Sequence, residues 1–338
     1  MGPIVFKTPL NLIKSLKEIR LLNQTILQIR DYLVSCGLIE VFTPTLVNSG
    51  AIEPYLDCFG VDNYYLPTSP EFSLKKSLLI YHKETGIFEI AHSFRKEELS
   101  SAHSHEFFMA EWYKRETFYL DLMGDLKTII ERCGANSSEI FELSVHQLFK
   151  NIYNMDLFSD SNLDDYIKFS NSVFNKIEKP GEYTPVNESS SVDKMSEIFT
   201  LLLDNALARF FEQQNSLKRD YGKKIVLFLY DYPSFARGMA KLNPDGWAMR
   251  IEMFINGLEI ASGYQELDNE NELKELWTLN NSVRQKNQKT IHPVDDMVLH
   301  SASQMKGISG MALGIDRLVM ALYDIDSISL FRNYYLVR

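Results

Sequence analysis

Between Phe88 and Arg115 the chain reads FEIAHSFRKEELSSAHSHEFFMAEWYKR, and within that span it gathers Arg95, Lys96, Glu97, His103, Ser104, Phe107, Glu111 and Tyr113. Two alternating runs, IFEIAHSF and EFFMAEWY, read as strands. Side chains alternate along a strand, so Phe107, Met109, Glu111 and Tyr113 point one way and Glu106, Phe108, Ala110 and Trp112 the other. One face is largely aromatic and suited to a core. The other offers an aromatic plane, a carboxylate and a phenol. The polar stretch KEELSSAHSH between the runs is long for a hairpin, and long polar loops between good strands are often functional. Taken alone, the same residues also fit an exposed hairpin with solvated charges.

Two further stretches add chemistry. In RIEMFINGLEIASGYQEL, Asn256-Gly257 is a strong hairpin signal. That turn places Phe254 opposite Glu259 and Glu252 opposite Ala261, so Glu252 and Glu259 share a face as diagonal neighbours. Two such carboxylates repel unless a cation lies between them, and an oxygen-only ligand set suits magnesium with substrate phosphates completing the shell. Glu266 has the opposite parity to Glu259 and joins that face only if the strand bulges, for which Ser262-Gly263 is the expected place. In GISGMALGIDRLVMAL, Gly307, Gly310 and Gly314 mark a short strand open to close approach of a ligand. Asp316 and Arg317 then open a helix, where an arginine can bind phosphate. No GxxxxGK[ST] loop occurs.

The elements around these stretches are those of a globular α+β chain. Its 338 residues are 45% hydrophobic, enough for a sizeable core. No apolar run reaches about 18 residues and no signal segment opens the chain, so neither a spanning helix nor secretion is expected. Cys36, Cys58 and Cys133 are scattered, which fits a reducing cytoplasm and neither a disulfide framework nor a zinc site. A net charge of −10 disfavours bulk nucleic-acid binding. Leu22, Ile26, Ile29 and Leu33 recur at helical spacing before Gly37, and IEVFTP follows as a strand stopped by Pro44. SPEFSLKKSLLIY reads as a second helix with Pro70 in its first turn. From about 150 to 222 the chain turns polar and Pro/Gly/Ser-rich before another helical run, and it reads as an insertion within one domain spanning 1–338.

The order of these motifs resembles a class II aminoacyl-tRNA synthetase catalytic core: a helix and strand ending at Pro44, TSPEF, FRKEE…HSHEFFMAEWY, GLEIASGYQEL and GMALGIDRLVM. SPEF, EWY and GYQEL point to the lysyl branch. The first motif helix begins near Lys17, which leaves no room for that branch's anticodon-binding barrel. The chain therefore resembles the short lysyl-tRNA synthetase paralogues that attach (R)-β-lysine to a lysine of elongation factor P, and Ala312, where full synthetases carry glycine, fits them.

The resemblance implies an antiparallel sheet flanked by helices, a homodimer through the Lys17–Pro44 segment, ATP and magnesium as cofactors, and elongation factor P rather than tRNA as acceptor. It implies that Arg95 and Arg317 are catalytic, with Arg95 on the α-phosphate and Arg317 on the γ-phosphate and one side of the adenine. Glu97 would take the adenine amino group, His103 the γ-phosphate, and Phe107 the other side of the ring. Lys96, Ser104, Glu259, Ile260 and Gly314 complete the nucleotide site, and Glu252 and Glu259 hold the metal. Ser69, Pro70, Glu71, Glu111, Tyr113, Ser262, Glu266 and Ala312 would surround lysine or β-lysine. The chain departs from the family at Lys96 and Ser262, where asparagine is usual, at Ser100-Ser101 for Gly-Arg, and in HSHEF for HNPEF.

Overall fold

The computed structural model describes residues 11–50, 52–96, 99–135, 138–156, 161–174, 191–217 and 223–331. Helix α1 (Asn11–Ser35) leads to β1 (Ile39–Glu40), then to the small pair β2 (Gly60–Val61) and β3 (Tyr64–Tyr65), and to α2 (Glu71–Ile80). Next come β4 (Gly86–Phe94), β5 (Glu106–Arg115), α3 (Leu122–Arg132), β6 (Glu139–Ser144), α4 (Val145–Tyr153), α5 (Leu163–Phe174) and α6 (Ser191–Leu217). The chain continues with β7 (Ile225–Tyr232), β8 (Ala248–Ile255), β9 (Leu258–Gln265), α7 (Glu270–Lys286), α8 (Asp296–Ala302), β10 (Ile308–Gly314) and α9 (Ile315–Tyr323). Pro70 is the N-cap of α2 rather than a residue of its first turn.

Eight strands form one sheet in the order β1-β4-β5-β10-β9-β8-β7-β6. Its six inner strands are antiparallel, and only the two edge pairs, β1 with β4 and β6 with β7, run parallel. The fold class is thus the expected one, with parallel edges that periodicity does not reveal. The helical residues from 145 to 217 do not stand apart from the sheet. Phe149, Phe169, Phe199 and Phe210 pack on Ile225, Leu227 and Leu229 of β7 and on Phe254 of β8 in a second core.

The main core lies under the opposite face. Ile29 and Leu33 of α1, Leu126 and Ile129 of α3, and Leu318 and Val319 of α9 pack against Phe88, Ala110, Trp112, Ile251, Met253 and Met311. Asp125 of α3 is buried there, and its charge is compensated. Its carboxylate accepts hydrogen bonds from the Tyr32 hydroxyl at 2.6 Å, the Trp112 indole at 3.2 Å and the Lys114 ammonium at 2.8 Å. Three donors offset the desolvation of one charge and fix α1 and α3 beneath β5. Among the described residues no helix is long and apolar enough to cross a membrane.

The β8–β9 hairpin departs from the expected register. Phe254 does face Glu259, but Met253 faces Ala261 and Glu252 faces Ser262 rather than Ala261. Ile260 is the extra residue, and it packs in the lower core beside Ala261. The bulge therefore falls before Ser262-Gly263, and it reverses the parity of everything after it. Glu259, Ser262, Tyr264 and Glu266 consequently share the upper face.

Candidate active site

The upper face of the sheet carries the polar residues in rows. One transverse row runs Glu89, Glu111, Ala312, Ser262, Glu252, and the next runs Tyr113, Gly310, Tyr264, Arg250. Gly310 is required where it stands: a Cβ there would lie 2.5 Å from both Glu266 Oε1 and the Tyr113 ring. Asp316, in the first turn of α9, accepts the Phe108 backbone N–H at 2.6 Å and so fixes the start of that helix against β5.

A cavity opens over one half of this face, lined by Arg95, His103, Ser104, Phe107, Glu259, Ile260, Ser262, Ala312, Gly314 and Arg317 among others. The Arg95 guanidinium lies 5.2 Å from the Phe107 ring centroid. Arg317 donates to the Glu259 carbonyl at 3.2 Å. His103 Nδ1 lies 2.7 Å from the Ser100 hydroxyl. The cavity thus offers an aromatic face and two guanidinium groups, a combination suited to a flat ring and an anionic chain. Lys96 is exposed and does not line it, and its backbone N–H bonds the Asp57 carbonyl at 2.9 Å. Glu97 lies outside the described residues.

Beside this cavity lies a sealed cluster of carboxylates. Glu111, Tyr113 and Glu266 are each about 2% exposed. The Ser69 hydroxyl and the Tyr113 hydroxyl both donate to Glu111, the latter at 2.7 Å. Lys75 lies 2.7 Å from Glu71 and 2.7 Å from Glu266, so the protein's own ammonium bridges two carboxylates. Burial works against that ammonium, but the charges of Glu266 and Glu71 outweigh it and hold Lys75 above the usual lysine range. Burial and then the Glu71 charge push Glu111 up to about 8. Burial pushes Glu266 up to about 7, with the Lys75 charge working the other way. Such a site retains protons until a cationic ligand displaces them.

Glu252 accepts from the Tyr232 hydroxyl at 2.5 Å and from Arg250. Burial and then the Glu252 charge raise the Glu259 carboxyl, so the two carboxylates sense each other as the hairpin implied. Among the described residues no group of three or more His, Cys, Asp or Glu is arranged to hold a metal ion. A cation at this pair would take further oxygens from a ligand.

The structure thus brings together all the expected site residues that it describes except Lys96, with Pro70 contributing as the cap of α2. Lys75 and Tyr264 join the polar face as well, and no motif marks them. Lys75 follows Glu71 by one helical turn, and that i,i+4 spacing was the available signal. Tyr264 shares its face with Glu259 only because of the bulge.

A family model described as tRNA synthetases class II (D, K and N) matches residues 12–334. Proteins named elongation factor P–(R)-β-lysine ligase are similar along nearly the whole chain. The one from Haemophilus influenzae (strain PittGG) is 27% identical over 320 residues, 90% of each chain. The one from Vibrio vulnificus (strain YJ016) is 26% identical over 322 residues, covering 90% of this chain and 91% of the relative. The one from Baumannia cicadellinicola subsp. Homalodisca coagulata is 28% identical over 311 residues, 86% of each chain.

The raised Glu111 carboxyl has a stability consequence. Folded protein keeps this proton up to about pH 8, whereas an unfolded carboxyl loses it near the ordinary glutamate value of 4.5. The folded state therefore binds more protons across that window, and stability falls as pH rises through it. Glu111→Gln removes the effect. Its thermal midpoint is expected to exceed wild type by at least ~2 °C at pH 8 and to match it near pH 4.5. Calorimetry at the two pH values checks this, and an equal difference at both would contradict it.

Proposed function

The chain belongs to the class II tRNA synthetase family of the D, K and N type, and from that premise we propose that it is an ATP-dependent ligase acting on elongation factor P. It activates a dibasic amino acid, (R)-β-lysine, as the adenylate and transfers it to a lysine side chain of that protein. The observation that carries this reading is the carboxylate cluster of half-buried Glu71 with buried Glu111 and Glu266, beside a pocket lined by Phe107, Arg95 and Arg317. An acidic pocket selects a substrate with two ammonium groups, and each charge-assisted hydrogen bond contributes about 1.5–3 kcal/mol. The name shared by the relatives supplies the acceptor and the isomer.

In this reading Phe107 and Arg317 sandwich the adenine, and Arg95 binds the α-phosphate and stabilises its charge as the substrate carboxylate attacks in line. His103 meets the γ-phosphate, with Ser104, Ile260 and Gly314 closing the nucleotide site. Glu97 would take the adenine amino group. Glu111, Glu266 and the Tyr113 hydroxyl hold the side-chain ammonium, and Glu71 the amine nearer the carboxylate. Ser69, Ser262 and Ala312 shape the wall. Glu252 and Glu259 suit magnesium as an oxygen-only pair that ligand phosphates complete. When bound, that ion neutralises phosphate charge. No side chain needs to act as a nucleophile.

Two further elements belong to the proposal. The protein works in the cytoplasm, consistent with free thiols at Cys36, Cys58 and Cys133. It works as a homodimer through the Lys17–Pro44 segment, which exposes large apolar side chains: Phe42 at 86%, Val34 at 54% and Leu27 at 53%. Burying such a surface against a second copy is its simplest use.

Amino-acid-dependent pyrophosphate exchange tests the activity. Wild type is expected to respond to lysine isomers and not to neutral amino acids, and Glu259→Gln to lose most of the signal because one metal ligand loses its charge. Exchange near wild type in that variant would refute the metal assignment. Light scattering tests assembly: wild type is expected at twice the 39.1 kDa chain mass, and Phe42→Asp at the single mass. A monomeric wild type would refute the dimer. Ala312 stands between Glu111 and Ser262 in the site row. Its methyl is expected to favour (R)-β-lysine over L-α-lysine by about 10- to 200-fold in exchange efficiency. Ala312→Gly narrows or reverses that ratio, and an unchanged ratio would show that the methyl only packs.

A further inference from the structure

A second pocket adjoins the first, and Arg95 lines both. Its lining joins the apolar side chains Val47, Leu56, Pro67 and Phe72 to the carboxylates Glu53 and Glu71. Glu71 is already engaged by Lys75. Glu53 is satisfied only in part: its backbone N–H serves the carboxyl, but Oε2 is shut off from solvent and has no hydrogen-bond partner. A carboxylate oxygen left unsatisfied in this way costs stability and calls for a reason.

The loop that carries Glu53 is firmly held. The Arg284 guanidinium, buried completely, donates to the Glu53 carbonyl at 2.7 Å, the Leu56 carbonyl at 2.7 Å and the Asp57 carboxylate at 2.6 Å. Lys289 adds a second bond to Asp57 at 3.0 Å. A fixed backbone thus holds a carboxylate with one unpaired oxygen in the wall of a pocket that is otherwise largely apolar. An aliphatic chain ending in an ammonium group matches both features. Arg95, at the junction, places any adenylate held in the first pocket next to the occupant of the second.

We propose that this second pocket receives the side chain of the acceptor lysine and that Glu53 takes the proton that makes its amine nucleophilic; the inference rests on the adenylation reading above. The Glu53 carboxylate accepts one proton from the acceptor ammonium. The freed nitrogen lone pair forms the bond to the adenylate carbonyl carbon. The carbon–oxygen bond to phosphate breaks, and its electron pair leaves with AMP. The second nitrogen proton passes to the AMP phosphate or to water, and Glu53 returns its proton to solvent. Burial and then the Glu71 charge raise the Glu53 carboxyl, in the direction that a proton acceptor working near neutral pH requires.

Three amines separate this role from a structural one. Adenylate formed from lysine is offered to elongation factor P, to n-butylamine, and to hydroxylamine, which is already unprotonated at neutral pH. Transfer is read relative to pyrophosphate exchange in the same preparation. In Glu53→Gln the butylamine ratio is expected to fall about 100-fold, while the hydroxylamine ratio stays within about threefold. Glu53→Asp is expected to recover part of the butylamine transfer. Equal loss with both small amines, no loss with either, or a raised amino-acid KM in exchange as the sole change would overturn the role of Glu53. Wild type that forms no adenylate would overturn both the function and this inference. Wild type that transfers to butylamine through Glu53 but not to elongation factor P would overturn only the acceptor assignment.

Discussion

One extra residue in β9 decides which face of the sheet carries chemistry. Ile260 sits outside the one-to-one pairing of β8 with β9 and packs downward beside Ala261. Without it, Glu259 and Glu266 would point to opposite faces, because side chains alternate strictly along a strand. With it, Glu259 faces the larger cavity and Glu266 meets Lys75 on the same upper surface. The two halves of the site are joined through this bulge. The floor beneath is held rigid by the three donors that compensate Asp125 and by Asp316 at the start of α9.

The second constraint is charge. Glu53, Glu71, Glu111 and Glu266 are crowded into little volume, and burial pushes the Glu53, Glu111 and Glu266 carboxyls up. Lys75 relieves two, the Ser69 and Tyr113 hydroxyls serve Glu111, and Glu53 is left without a donor on one oxygen. The arrangement is less stable than an apolar core would be, and in the proposed function that imbalance sets the selectivity for a dibasic substrate. A ligand bearing ammonium groups replaces protons that the protein holds at a cost. A neutral amino acid has nothing equivalent to offer.

Much of this was legible in the sequence because strands and hairpins write themselves in short-range patterns. The alternation in EFFMAEWY assigned Phe107, Glu111 and Tyr113 to one face, and Asn256-Gly257 fixed the facing of Phe254 and Glu259. The position of the bulge was not legible, since Ile260 as a buried apolar residue looks like any other inward strand position. Nor were the parallel edges, which depend on long connections. Lys75 and Glu53 carry no short-range signature because their surroundings arise from tertiary neighbours: Glu266 lies far along the chain from Lys75, and Arg284 from the Glu53 loop. Lys96 shows the converse, a residue next to Arg95 that turns outward to solvent.

In the proposed function one face holds two adjoining compartments, a nucleotide site over Phe107 and an ammonium site at Glu111 and Glu266. A crystal structure with a non-hydrolysable sulfamoyl analogue of the lysyl adenylate tests it most directly. The expected result is the adenine between Phe107 and Arg317, the linking group on Arg95, and the side-chain ammonium within hydrogen-bond distance of Glu111 and Glu266. An analogue bound with its ammonium in solvent, or its adenine away from Phe107, would contradict the account.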